Sequence, residues 1–383
     1  MAESNPLNPA KLRVVLLLQG GGALGAYQGG VYQALHEHGL VPDWIVGTSI
    51  GAINGALIAG NEPEHRVGRV KAFWNRIAHP DGVDLELLDD GARRRVIHVN
   101  TADTILRGAP GFFTPRWFSP FPYGLEVAPE HAGLYDTNAL ADTLRDLVDF
   151  AYLNRRGGMR LTVNAVKVTS GQLVHFDSQQ RRLGPEHVRA SGSLPPGFPP
   201  VRVDGELYWD GGLYSNTPLE SVLAELPRGD TLCFMVDLWS AAGAEPVTLD
   251  EVRTRQKDVT YAARTQRHLA DYVRTQRLQR KLRDMYDRLP PEEQSEADAR
   301  ELAALGCETT LHIVRLRYAG HDWHMAAKDL NFSRGSIDWR WDQGYADTAR
   351  ALGHAGWLRQ VASGSAVVMH ELPGHDVASR QAD

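Results

Sequence analysis

Six residues, Val46-Gly47-Thr48-Ser49-Ile50-Gly51, constrain this chain more than any other stretch. Before them, Trp44-Ile45-Val46 reads as the end of a buried strand. After them, Ile50 to Ala59 reads as a helix in which Gly51, Ala52, Gly55 and Ala56 keep one flank thin. Between the two lies Gly-x-Ser-x-Gly, the pattern of a nucleophile elbow, where a sharp strand-to-helix turn lifts a serine hydroxyl out of the fold. Side chains at 47 or 51 would crowd that turn. The following helix points its free N–H groups and positive dipole end at the serine, which favours negative charge there. Read alone, the pentapeptide could be an ordinary turn. Its place between an apolar strand and a helix makes Ser49 the candidate nucleophile.

The segment upstream repeats the same grammar. Val14 to Leu18 is a continuous β-prone run, expected as a buried parallel strand. It leads into Gln19-Gly20-Gly21-Gly22-Ala23-Leu24-Gly25, and Ala26 to His38 then has helical spacing, with Tyr27, Val31, Tyr32 and Leu35 on one face. Strand, glycine loop, helix, strand, elbow, helix in one run implies a parallel sheet covered by helices. Gly20, Gly22 and Gly25 also satisfy the dinucleotide pattern Gly-x-Gly-x-x-Gly, which calls for an acidic residue at the end of the second strand. Asp43 precedes that strand's apolar core, and the serine turn occupies its end. The better account is an anion-binding nest of glycine N–H groups beside the serine, an oxyanion hole.

Composition narrows the partners. A net charge of −6 and a pI near 6.2 argue against a nucleic-acid binder, whose footprint is usually strongly basic. Two cysteines, Cys233 and Cys307, make no disulfide framework and suit a reducing, cytoplasmic setting. Met1 to Lys11 carries an acidic residue and no apolar core, unlike a signal peptide. No apolar run approaches the ~18 residues of a membrane span, so membrane contact is expected to be peripheral.

Further along, residues 61–107 read as mainly helical. From Gly108 to Tyr135, five prolines alternate with Phe112, Phe113, Trp117, Phe118, Phe121 and Tyr123, which rules out a regular helix. The segment is either a loop packed on the core by its aromatics or an apolar lid beside the site. Leu134 to Ala151 reads as a helix, Leu161 to Val168 with Gln172 to Asp177 as a hairpin, and Leu232 to Leu238 as a buried strand. Leu249 to Arg288 is a polar, Arg-rich pattern without glycine or proline, expected as one or two exposed helices that pack along the domain, meet a partner subunit or bind lipid head groups. His312 to Tyr318 reads as a strand and Trp339 to Leu358 as a helix.

A serine hydroxyl needs a base within hydrogen-bond reach. None of the 15 histidines stands in an obvious strand-end context, and His321 with His324 lacks the spacing and further ligands of a metal site. Asp210 competes for the role. It ends the strand Glu206 to Trp209 and is followed by Gly211 and Gly212, which read either as a plain turn or as a tight approach to another element. A shielded carboxylate whose pKa rises toward the working pH can take a serine proton directly.

Taken together and in this order, Gln19 to Gln28, Gly47 to Gly51, Ala190-Ser-Gly-Ser-Leu-Pro195 and Asp210-Gly-Gly212 resemble a patatin-like phospholipase from about residue 12 to 240. The resemblance implies a three-layer α/β/α fold with a mostly parallel central sheet. It implies Ser49 as nucleophile and Asp210 as base, a dyad without histidine, with Gly20, Gly21 and Gly22 as oxyanion donors. The family usually carries Arg or Lys where this chain has Leu24, and Asp or Ser where it has Gln19. Asn331 to Tyr345 is similar to a C-terminal extension of one bacterial subgroup.

The expected organisation is a disordered lead-in (1–11), a catalytic domain (12–240), a helix-rich C-terminal extension packed on it (241–372) and a disordered tail (373–383). The expected activity is serine hydrolysis of acyl-lipid esters through an acyl-enzyme, with no metal or cofactor and no nucleic acid. Self-association is expected through the extension. Thioesters, hydroxyacid esters and acyl transfer remain alternatives on the same dyad, and a regulatory scaffold on a hydrolase fold remains an alternative of another class.

Overall fold

A strand that is apolar on both faces needs cover on both sides. The computed structural model describes residues 12–80, 90–116, 126–223, 225, 230–306, 309–318, 327–353 and 367–371. In chain order the strands are β1 (Arg13–Leu18), β2 (Trp44–Thr48), β3 (Thr114–Pro115), β4 (Tyr135–Asp136), β5 (Arg160–Lys167), β6 (Leu173–Asp177), β7 (Val201–Val203), β8 (Glu206–Asp210), β9 (Thr231–Asp237), β10 (Leu311–Arg317) and β11 (Val367–Glu371). The helices are α1 (Ala26–Glu37), α2 (Ile50–Ala59), α3 (Arg66–Ile77), α4 (Asp90–Arg107), α5 (Asn138–Leu147), α6 (Phe150–Leu153), α7 (Pro185–Ser191), α8 (Leu219–Leu223), α9 (Leu249–Tyr286), α10 (Pro291–Gln294), α11 (Ala297–Leu305) and α12 (Arg334–Gly353).

Nine strands form one sheet in the order β11-β10-β9-β1-β2-β5-β8-β7, with β6 also against β5, while β3 and β4 make a separate ribbon. Pairing is parallel from β11 through β5 and antiparallel for β6, β7 and β8. Alternation along β1 sorts its side chains between two layers. Val14, Leu16 and Leu18 pack with Tyr27 and Val31 of α1, Ile53 of α2, Phe73 of α3 and Trp341 of α12. Val15 and Leu17 face Leu219 and Val222 of α8 and Tyr272 of α9. This is the expected three-layer α/β/α arrangement around a mostly parallel sheet.

The last third is helix-rich, yet it also extends the sheet across the expected boundary at 240. β10 pairs with β9 from Leu311 opposite Thr231 to Arg317 opposite Asp237. On the far layer α12 lies directly on α1. A Cβ on Gly30 would run into the Trp341 carbonyl, and one on Gly344 into the Tyr27 carbonyl, so these helix-interior glycines permit the close approach. Trp341 Nε1 donates to Gln33 Oε1 at 2.8 Å and the Tyr345 hydroxyl to Glu37 Oε2 at 2.6 Å. The polar stretch after 248 is a single 38-residue helix, α9, started by a capping box in which Thr248 Oγ1 accepts from the Glu251 amide at 3.2 Å.

Of the proline-broken aromatic segment, Phe112 and Phe113 are buried in the core. Their rings lie 5.3 Å apart, with Phe198 5.2 Å from Phe113 and Phe332 5.7 Å from Phe112. This part is a packed loop. Trp117, Phe118, Phe121 and Tyr123 lie outside the described residues, as do His321, His324, the lead-in and the tail. Among the described residues no helix is long and apolar enough to cross a membrane.

Candidate active site

Ser49 stands between β2 and α2 at φ 57° and ψ −123°. Positive φ is rare for a residue with a side chain and costs of order 1–3 kcal/mol when held. The surroundings hold it. A Cβ on Gly47 would meet the Gly51 carbonyl, and a Cβ on Gly51 would meet the Leu18 carbonyl of β1, so the helix begins almost on top of the strands. The Ser49 carbonyl accepts from the Ala52 and Ile53 amides at 2.9 and 3.2 Å. Its own amide donates to the buried Ser191 hydroxyl at 3.0 Å.

β5 brings Asp210 to this turn. β6 covers one edge of β5 from Thr162 to Val166. The other edge is shared: β2 runs along it until Thr48 sits opposite Asn164, and β8 comes the other way until Asp210 sits opposite Ala165. The two strands therefore end facing one another, one at Ser49 and one at Asp210. Gly211 completes the approach, since a Cβ there would meet the Asn164 carbonyl at 2.5 Å. The Asp210 amide donates to the Ser193 carbonyl at 3.0 Å. Ser191 and Ser193, two residues of the Ala190–Pro195 stretch, thus pin the two turns from one side.

Asp210 is 2% exposed. Its carboxyl accepts from the Gly212 amide at 2.7 Å and faces the Ser49 hydroxyl, whose interaction favours the ionised form. Burial pushes its pKa from 3.8 up to about 7, against the downward pull of those two groups. A carboxylate that titrates near neutrality and touches a hydroxyl can accept its proton. Among the described residues no histidine is hydrogen-bonded to either side chain.

The glycine loop abuts the serine, for a Cβ on Gly20 would come within 3.1 Å of the Ser49 Cβ. Gly20 departs from expectation: its amide donates to the Asn216 carbonyl at 3.2 Å and so is already paired. Its carbonyl accepts from Asn216 Nδ2 at 2.9 Å and Trp239 Nε1 at 2.7 Å. Gly22, at φ +53° with the Asp329 carbonyl against its Cα, is conformationally a glycine position. Gln19 is buried and shapes the loop from beneath, with Nε2 donating to Thr217 Oγ1 at 2.8 Å and Oε1 accepting from the Leu238 and Trp239 amides. Leu24, where a cation was the family's habit, is fully buried in the core. Asn216, Gln19 and Trp239 carry no sequence signal of this role, because their partners lie about 200 positions away in the chain.

A serine elbow and a facing buried carboxyl, set at the strand ends of a three-layer α/β/α sheet, define the class of fold. A family model described as patatin-like phospholipase matches residues 16–223, over half of the 383, and a model described as patatin phospholipase matches 259–364. The chain belongs to the patatin-like phospholipase family.

An uncharacterized NTE family protein of Mycobacterium tuberculosis (strain CDC 1551 / Oshkosh) is 30% identical over 224 residues, 58% of this chain and 30% of that protein. Lysophospholipase NTE1 of Candida glabrata is 30% identical over 234 residues, 61% of this chain and 11% of that protein. The chain thus spans only 30% and 11% of the length of these relatives. Among solved structures, the type III effector ExoU aligns at a TM-score of 0.35 and 12% identity, over 92% of this chain and 54% of that one. VipD from Legionella pneumophila aligns at 0.32 and 14%, over 87% and 67%.

Proposed function

We propose that the protein is a serine lipid acyl hydrolase that cleaves ester bonds of phospholipids or related acyl lipids through an acyl-enzyme on Ser49, with Asp210 as base. The observation that carries this reading is the Ser49 hydroxyl set against a buried carboxyl whose pKa burial pushes up to about 7. Family membership and the likeness to a lysophospholipase support the substrate class.

In this reading Asp210 takes the Ser49 proton as Oγ attacks the ester carbonyl. The tetrahedral oxyanion rests on the amides of Gly21 and Gly22 and on the N-terminus of α2. Gly20 supports that loop rather than donating, because Asn216 already holds its amide. Asp210 returns the proton to the departing alcohol. It then deprotonates the water that attacks the acyl-enzyme, and the fatty acid leaves as Ser49 regains its proton. Leu213 and Tyr214, exposed just after the Asp210 turn, put apolar surface beside the site and fit peripheral contact with a lipid surface. A cytoplasmic setting belongs to the same proposal.

The test is fluorophosphonate labelling with peptide mapping on wild type, Ser49→Ala and Asp210→Asn, followed by a lipid panel. A single adduct on Ser49 that forms far more slowly without Asp210 supports the dyad. Folded wild-type protein that takes no adduct overturns it in favour of a scaffold role.

A further inference from the structure

Two ion pairs cross between α9 and the short helical turn Lys328–Leu330. Lys257 Nζ donates to Asp329 Oδ1 at 2.8 Å and to Oδ2 at 3.1 Å. Lys328 Nζ donates back to Asp258 Oδ1 at 2.8 Å. A Lys-Asp step on the helix thus meets a Lys-Asp step on the turn in opposite order, so that neither pair can slip without setting like charges together. Both side chains of the second pair are 14% exposed, unlike the solvated pairs that hold nothing in place.

The turn these pairs secure is seated on the glycine loop. The Asp329 carbonyl fills the space beside Gly22 that a side chain would need. Lys328 Nζ sits 5.1 Å from the centre of the Trp239 ring, which packs at 4.9 Å on Tyr261, one turn along α9 from Lys257 and Asp258. The same indole donates its Nε1 hydrogen to the Gly20 carbonyl at 2.7 Å. Fully buried Arg340 of α12 donates to the Asn331 and Lys328 carbonyls at 3.0 and 2.9 Å and fixes the main chain of the turn. Two of these contacts reach the loop itself, the Asp329 carbonyl at Gly22 and the Trp239 indole at Gly20.

We propose that Lys257–Asp329 and Asp258–Lys328 form a crossed clasp that sets the glycine loop over Ser49, making these four side chains positioning residues for the oxyanion donors. The proposal rests on the Ser49 acyl-enzyme reading and deepens it, because it makes the C-terminal extension a working part of the site. Oxyanion donors act only when held at hydrogen-bond distance from where the charge develops. Loosening the clasp should therefore lower the rate of the chemical step and leave ground-state ester binding almost untouched.

The experiment compares the full-length wild type with Lys257→Met, Asp329→Asn, Lys328→Met, Asp258→Asn and the charge-exchanged double variant Lys257→Glu with Asp329→Lys. The readouts are kcat and KM on a short acyl ester, affinity for a trifluoromethyl ketone that forms a tetrahedral adduct on serine, and thermal unfolding. Each single variant is expected to lose about 10- to 100-fold in kcat, the scale of a misplaced catalytic group. KM should stay within about twofold, as when an interaction made only in the transition state is lost. Ketone affinity should fall in step with kcat, and the exchanged pair should recover most of both.

Folded single variants that keep wild-type kcat overturn the clasp. So do losses that follow thermal stability alone and leave ketone affinity unchanged. A wild-type protein that neither turns over ester nor labels at Ser49 removes the acyl-enzyme reading itself, and the clasp with it.

Discussion

Thr48 and Asp210 follow one another along a single edge of β5, opposite Asn164 and Ala165. One arrives on a parallel strand and the other on an antiparallel strand, so the turns that end them meet. The pairing register, rather than a long loop, thus sets the distance between Ser49 and Asp210. It also explains how a carboxyl can face the serine with no third side chain among the described residues to orient it: the Gly212 amide, 2.7 Å from Asp210 Oδ1, fixes its rotation.

The pH dependence follows from the burial of Asp210. A base must be ionised to act, and this carboxyl titrates at about 7. Turnover of a neutral ester should rise through that region and level off above it, following a single ionisation. Asp210→Asn should remove that ionisation and lower kcat by at least about 10²-fold, the low end of what a general base contributes. Initial rates from pH 5 to 9 check both, and a flat profile would speak against Asp210.

Stability should move the other way. Between 3.8 and about 7 the native state holds a proton on Asp210 that an unfolded chain has released. The native state binds more protons there, so this group's contribution is full below about 4, falls as pH rises and is lost above about 7. Asp210→Asn keeps a neutral group in place at every pH. It should therefore unfold at a higher temperature relative to wild type at pH 8 than at pH 5, by an amount equivalent to a few kcal/mol. Thermal melts of both proteins at the two pH values decide it; a pH-independent difference would count against the burial account.

Ser191 and Ser193 separate two kinds of support. The Ser191 hydroxyl accepts the Ser49 amide at 3.0 Å, whereas Ser193 holds the Asp210 amide through its carbonyl. Ser191→Ala leaves a main-chain donor without its partner beside a residue at positive φ, and should cost about 1–3 kcal/mol and slow Ser49 labelling. Ser193→Ala keeps its carbonyl and loses only a hydroxyl bond to the Arg189 carbonyl, so its loss should be smaller. Denaturant titration and fluorophosphonate labelling rates of the two variants make the comparison.

What the sequence showed depended on how local each cause is. The Ser49 turn was legible because the strand, the glycines and the helix that shape it are adjacent in the chain. The β5–β6 hairpin and the buried strands β1 and β9 were legible from period and turn residues. Asp210-Gly-Gly on its own has the composition of a turn, because the edge of β5 that gives it meaning is set by pairing. The sequence around Gly20 suits a free donor because nothing near it announces Asn216, almost 200 residues later. In the last third the strand β10 was legible as an apolar run, but its place beside β9, some 80 residues back in the chain, was not, because pairing partners leave no local mark.

Gln19 offers the sharpest remaining test of how the loop is held. It is 1% exposed and makes its bonds in two directions. Its side chain donates to Thr217 and accepts the Leu238 and Trp239 amides. Its carbonyl accepts from Gln28 Nε2 at 2.7 Å, and Gln28 in turn accepts from Asn54, which accepts from Trp74 Nε1 at 3.1 Å. Leucine at 19 would fill nearly the same space but strand two buried N–H groups, at about 1–3 kcal/mol each. Gln19→Leu should therefore lose roughly 2–6 kcal/mol, well beyond an ordinary shape change of that size. Because Trp239 also holds Gly20, kcat should fall as well, while KM for a short ester stays near wild type. Urea unfolding and steady-state kinetics on the same preparation check the two together. If stability falls and kcat does not, Gln19 serves the fold alone and the loop keeps its shape through Asn216 and the Trp239 indole.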